Sequence, residues 1–197
     1  MSDLASNALI NHETFIVFRG GDPLDTKLSE DRVNMYINMA SQAIENYCAR
    51  KFIEGTDLEE IFGGDGEKDY IVQNLPLTGT PTIYYWDGTQ WVEATASNYP
   101  RATDSASGRI WFNEGNKFWK GDDNWRVVYD YGYAIESVPG DLQHACCILV
   151  QRAMLKAEGK EGVASESHID KSITFDLSKM PVDVQGFLNS YKRFFLG

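Results

Sequence analysis

Few side chains in this sequence stand in a pattern that does chemistry. The three histidines, His12, His144 and His168, are scattered. His144 is followed four residues later by Ile148, so the HExxH spacing that holds zinc is missing, and the histidines read as packing or surface residues. The acid pairs Glu59-Glu60 and Asp122-Asp123 are adjacent. On a strand such neighbours point to opposite faces, whereas glycoside hydrolysis needs two carboxylates converging across a cleft. Gly63-Gly64-Asp65-Gly66 has the glycines of a phosphate cradle but no Gly-Lys-Ser/Thr after it, so it reads as a turn. Ser105, Ser107, Ser165 and Ser167 lie in loops outside any G-x-S-x-G elbow. Cys48, Cys146 and Cys147 fall on helical patterns, which suits buried free thiols. The expectation is no catalytic residue, no cofactor and no metal, hence no enzyme.

The aromatic residues are the remaining candidates. Of 25, fourteen lie between Tyr70 and Tyr133, with all five tryptophans, enough to build a sugar-stacking platform. Such rings more commonly form the core and cross-strand pairs of a small sheet. Where the rings point separates the two readings.

Charge narrows the partners. The net charge of −11 is uneven: residues 1–135 carry 21 acidic and 11 basic side chains, residues 136–197 carry 8 and 7. Contact with DNA or an anionic membrane needs Lys and Arg, so neither partner is expected to be held strongly. The start of the chain, MSDLASNALINHE, has no basic and apolar signal pattern, and no run reaches the roughly 18 apolar residues of a membrane span. With an odd cysteine count, this predicts synthesis in cytoplasm.

The elements that must position everything are helices on either side of a strand-rich middle. Val33, Tyr36, Ile37, Ala40, Ile44, Tyr47 and Cys48 repeat at i, i+3, i+4, i+7, predicting a long helix over about 28–51. Ser29 is its expected N-cap, with Arg50 and Lys51 in its last turn. A short helix is expected from Asn11 to Phe18, ended by Gly20 and Gly21. Leu142, Ala145, Cys146, Leu149, Val150 and Ala153 predict a helix over about 138–157, capped by Ser137 and closed by Gly159. A last helix is predicted over about 181–195.

Between them, 56–134 reads as an inserted antiparallel β-subdomain. Its first strand is expected at Tyr70, with hairpins turning at Asp87-Gly88 and Ser107-Gly108 and a further strand over Trp125 to Tyr133. Lys160 to Ser172 is a long polar connection, followed by a short strand from Ile173 to Leu177. The fold class is therefore α+β: a small helical bundle carrying a β-insert, within a single domain of residues 1–197.

ASQAIENYCARKF (Ala40 to Phe52), VPGDLQHACCILVQRAMLKAEGKEGVASESHIDKSITFD (Val138 to Asp176) and Pro181 to Phe195 with its LNSYKRFF together resemble the head–tail connector (adaptor, head-completion) proteins of tailed bacteriophages. The resemblance covers the helical half of the chain; the β-insert is longer and more aromatic than in small members. It implies a structural virion protein, made in the host cytoplasm and placed at the head–tail junction. There it would form a ring, a dodecamer, beneath the portal protein, join the next tail or stopper/nozzle protein and surround the DNA exit channel without binding DNA strongly. An acidic surface suits such a channel, and a head-to-tail contact whose rotation closes makes a ring. The interface residues expected on this reading are Lys160, Glu161, Gly162, Ser165, Ser167, Asp170, Lys171, Tyr191, Lys192 and Arg193. The alternative is a carbohydrate- or receptor-binding β-module of a phage tail.

Overall fold

Helix α2, Glu30–Cys48, buries the stripe that its spacing predicts: Val33, Tyr36, Ile37, Ala40 and Ile44 are all in the core. The computed structural model describes residues 3–21, 29–99, 101–113, 115–157 and 180–192. They fall into two units, residues 1–49 with 135–197, and residues 50–134. Helices and antiparallel sheets together make the chain α+β, with four α-helices and two sheets among the described residues.

In the helical unit, α1 (His12–Phe18) packs on α2, α2 on α3 (Gly140–Ala157), and α3 on α4 (Val182–Leu188). Asn11 caps α1 as expected, its Oδ1 accepting from the Thr14 amide at 2.9 Å. Ile37, Ile44, Leu142, Leu149 and Leu188 are all buried. At the α2–α3 contact, Ser41 sits wholly buried; its Oγ accepts from the Leu9 amide at 3.0 Å and lies 3.7 Å from Cys146 Sγ.

Several helix ends differ from expectation. The backbone of Ala49 turns into the left-handed region (φ 54°), so α2 stops at Cys48 and Arg50 and Lys51 lie beyond it. Ser29 occupies the N-cap position without a side-chain capping bond. Ser137 belongs to a 3-10 turn, Ile135–Ser137, and the Pro139 carbonyl instead receives the first amides of α3, from Leu142 and Gln143. Helix α4 ends at Leu188 and tightens into a 3-10 turn, Asn189–Tyr191, rather than running on to 195. Gly186 inside α4 weakens continuation. Gly159, the segment 160–172, the expected strand at 173–177 and residues 193–195 lie outside the described residues.

The β unit holds two sheets. One has the order β1 (Gly55–Gly64), β7 (Gly121–Tyr131), β3 (Leu77–Trp86), β4 (Trp91–Glu93); the other is β2 (Asp69–Ile71), β6 (Arg109–Phe112), β5 (Arg101–Asp104), all antiparallel. Both expected hairpins form, with Asp87–Gln90 linking β3 to β4 and 105–108 linking β5 to β6. The first strand is not at Tyr70. It is β1, whose alternation is broken by a bulge between Gly55 and Leu58, where Asp57 has φ 54°. Gly63 and Gly64 end this strand rather than forming a turn. A Cβ on Gly64 would lie 2.0 Å from the Trp119 carbonyl oxygen, so only glycine permits that approach.

The chain enters and leaves this unit side by side. Tyr133 donates its amide to the Phe52 carbonyl at 2.8 Å and accepts at its own carbonyl from Glu54 at 3.0 Å. Gly132 makes this possible: its φ is 95°, and a Cβ would lie 2.6 Å from the Ile53 backbone. Trp125, Phe112, Phe118, Ile83, Ile110 and Val127 form the core between the sheets. Arg101 reaches from β5 to the Ala94 and Pro81 carbonyls at 2.6 and 3.2 Å, and the burial that this placement brings lowers its guanidinium pKa.

Candidate functional site

The carboxylates that could do acid–base chemistry are committed to structure. Glu59 and Glu60 point to opposite faces of β1, as adjacent strand residues must. Glu59 is half-exposed and pairs with Arg126 at 3.4 Å. Glu60 is buried and receives the Tyr70 hydroxyl at 2.9 Å, the Gln73 amide at 3.0 Å and the Tyr129 hydroxyl. Those donors occupy the lone pairs a general base would need. Tyr129 in turn accepts from the Asn74 amide at 3.2 Å. Burial, then the Glu60 contact, pushes its phenol well above the ordinary range.

Other polar candidates close turns. Asp87 Oδ1 accepts from the Thr89 and Gln90 amides at 2.8 and 2.9 Å, and these bonds, the Gln90 one foremost, lower its pKa. Ser107 donates to Asp104 at 2.6 Å, which lowers the Asp104 pKa, and Ser105 donates to the Leu77 carbonyl. Cys48, Cys146 and Cys147 are buried free thiols; burial pushes Cys146 up to about 12 and Cys147 to about 11, far from the thiolate reactivity needs. His144 sits edge-on between Phe18 and Phe187, with ring centroids at 5.5 and 5.0 Å, the packing alternative of the packing or surface role expected of it. Among the described residues no group of three or more His, Cys, Asp or Glu could hold a metal ion.

The aromatic rings of the β unit turn mainly inward. Phe112, Phe118, Trp125, Tyr129 and Tyr131 are buried, with Tyr70, Tyr85 and Tyr99 packed against them. Trp119, 38% exposed, leans on Trp125 at 4.3 Å between ring centres. On the outer face of the four-stranded sheet, Arg126 lies over Tyr84 at 4.3 Å and Trp91 at 5.0 Å, beside the exposed Ile61 and Trp86. Trp86 and Trp91 meet at 65°, not the coplanar arrangement a sugar platform needs. Arg, Trp and Tyr grouped this way are the residues that anchor protein interfaces. This clamp was missed in the sequence because Arg126, Tyr84 and Trp91 meet only through strand register.

Of the expected interface residues, Tyr191 and Lys192 are described and both are half-buried. Lys192 Nζ stands 3.8 Å over the Tyr47 ring, and Tyr47 donates its hydroxyl to Asn189 Oδ1 at 3.2 Å. Nearby, Arg152 and Asp183 join α3 to α4 at 2.5 Å. Lys160, Glu161, Gly162, Ser165, Ser167, Asp170, Lys171 and Arg193 lie outside the described residues. A cavity of about 620 Å³ opens on α2 beside Tyr47, lined chiefly by Met39, Ala43 and Met180. No described helix is long and apolar enough to cross a membrane.

Comparison with known proteins bears on this arrangement directly. No curated protein sequence matches the chain. Among solved structures, the chain is similar to one from the neck of an empty gene transfer agent particle computed with C6 symmetry (16% identity, TM-score 0.62). It is also similar to chains from the virion of a native gene transfer agent particle (18%, 0.61) and from a native neck computed with C12 symmetry (16%, 0.55). Each likeness covers 100% of this chain and 96% of the other, and at such identities it establishes the fold. A family model described as head completion protein matches residues 9–194, nearly the whole chain through both units, and the chain therefore belongs to the head completion protein family.

Proposed function

We propose that this protein is a non-enzymatic head–tail connector whose copies form a ring, a dodecamer, beneath the portal protein at the head–tail junction of a virion. The ring joins the portal to the next tail or stopper/nozzle protein and surrounds the DNA exit channel. The subunit acts as a single adaptor domain of residues 1–197, a small helical bundle with the β unit inserted in it. The observation that carries this reading is the family match over residues 9–194. The symmetric necks of the related particles, C6 and C12, support the ring. The saturated Glu60 and the inert thiols support a structural role over an enzymatic one. Segment 160–172 and the Tyr191–Arg193 stretch serve as contacts between subunits.

Electron microscopy of the protein mixed with its portal tests the reading: closed rings stacked coaxially on the portal are expected, and failure to bind the portal overturns it. Hydrogen exchange should show residues 160–172 gaining protection on assembly, and equal protection in free and assembled protein removes that segment from the interface. With a net charge of −11, the isolated protein should bind no duplex measurably at about 0.15 M salt. Micromolar binding with a steep salt slope contradicts a passive channel.

A further inference from the structure

Strand register brings side chains from four strands onto the outer face of the four-stranded sheet. Ile61 on β1 stands opposite Arg126 on β7, Arg126 opposite Tyr84 on β3, and Trp86 opposite Trp91 on β4. Opposed residues share a face, whereas Ile83, Trp125 and Val127 alternate with them and are buried in the core. Ile61 is 49% exposed and Trp86 41%, so the face is apolar and open. On a soluble protein such a patch marks a place where another molecule sits.

Charge selects that molecule. Arg126 offers little to an incoming carboxylate: its Nε is buried, Tyr84 and Trp91 flank its guanidinium, and its Nη1 donates to Glu59 at 3.4 Å. Glu59, Glu93 and Asp130 lie on the same face, opposite Val128, Tyr84 and Thr78, and make its rim acidic. Residues 50–134 carry 14 acidic and 8 basic side chains, and the rest of the chain carries 15 and 10. A second copy would therefore bring acidic surface to an acidic rim, and like charges across an interface are costly. We infer that this face docks a different protein, through a segment whose apolar side chains are flanked by lysines and arginines. The apolar side chains cover Ile61, Trp86 and Trp91, and the cations meet Glu59, Glu93 and Asp130. Arg126, held between two rings before the partner arrives, loses little freedom on docking. Placing the segment on the portal or on the next tail protein rests on the connector reading; the chemistry of the face does not.

The test uses the full chain with Trp86 replaced by photo-reactive p-benzoyl-phenylalanine. It is first mixed with two synthetic peptides, one of alternating leucine and lysine, the other of alternating leucine and glutamate. The lysine peptide should label the protein several-fold more than the glutamate peptide. Thr82 lies on the same face, opposite Val128, so adding Thr82→Lys should cut that labelling several-fold while Thr82→Glu should not. One added charge changes a net −11 little, so a loss of that size is local to the face. Equal labelling by the two peptides, no labelling, or no response to Thr82→Lys overturns the proposal. Mixed next with the portal and the next tail protein, the same chain should cross-link to a lysine- or arginine-flanked segment of one of them. Cross-links only between copies of this chain overturn the proposal. Rings docked on the portal, seen by electron microscopy, without a cross-link to either protein refute the docking face and leave the connector reading standing. Labelling by the lysine peptide that responds to Thr82→Lys, with no docked rings, supports the face and refutes the connector reading.

Discussion

The helical unit is held by a stripe of aliphatic side chains, the β unit by stacked aromatics around a buried carboxylate. In the first, Ile37, Ile44, Leu142 and Leu188 are wholly buried, and their packing needs little direction beyond the helical repeat. In the second, Trp125 touches Phe112, Phe118, Trp119, Tyr85 and Tyr99 at centroid distances of 4.3 to 6.3 Å, in tilted and edge-on geometries. Glu60 and Asn124 then fix how the strands meet: Asn124 accepts from the Gly64 amide at 2.8 Å and donates to the Trp119 carbonyl at 3.0 Å. The difference teaches that one unit tolerates change in shape while the other depends on directional contacts. A buried polar network is costly when half made, which is what makes it specific.

All five tryptophans lie in residues 50–134, so fluorescence reports the β unit while the helical signal of circular dichroism reports the other. Trp125→Ala should cost roughly 3–5 kcal/mol, read from the denaturant midpoint by fluorescence. A cost near that of an ordinary surface change would break the claim that this ring centres the unit. Ile44→Ala should cost about 2–5 kcal/mol, read by circular dichroism. If its loss stays within about half a kcal/mol, the α2 stripe is not the core of the helical unit.

Smaller changes sharpen the contrast in directionality. Tyr129→Phe removes a hydroxyl that donates to Glu60 and accepts from Asn74, and should cost around 1.5–3 kcal/mol. A neutral outcome would mean the carboxylate is satisfied without it. Asn11→Ala removes the α1 cap and should cost about 1 kcal/mol, visible as fraying of residues 12–14 by hydrogen exchange.

The smallest effect is on acid stability. Asp87 and Asp104 have folded pKa values below the ordinary carboxylate range, so the folded state prefers them ionised. Their contribution is therefore present above about pH 4 and lost as pH falls through the lowered values. The double variant with Asp87→Asn and Asp104→Asn should show a shallower acid slope in fluorescence-monitored unfolding. An unchanged slope would mean the turns hold without these charges.

How much of this was legible follows from distance along the chain. The long helix, the Asn11 cap and both hairpin turns are local patterns, set by residues three or four apart, and each appears where spacing places it. The missed strand β1 is local too, but Asp57 at positive φ and the adjacent Glu59 and Glu60 hide its alternation. The end of α2 was misplaced because nothing in ENYCARKF marks Ala49 as left-handed. The division into two sheets rests on pairings between residues as far apart as Gly55 and Tyr131, and no spacing rule reaches that far.

By itself, the sequence determined the class of the molecule: helical segments around a β-rich middle, an acidic chain, buried thiols, and the resemblance to head-completion proteins later met by the family match. Those are properties of composition and short-range period, which need no knowledge of what touches what. Tertiary structure alone decided that Glu60 is a buried acceptor, while its neighbour Glu59 pairs with Arg126 at the surface. It alone decided that the aromatics form a core, that Arg126 is clamped by Tyr84 and Trp91, and that a groove opens beside the last described residue. The physical reason is the same in each case. Burial and hydrogen-bond satisfaction depend on register between distant strands and helices, and a one-residue slip in a strand would turn every one of these side chains to the other face.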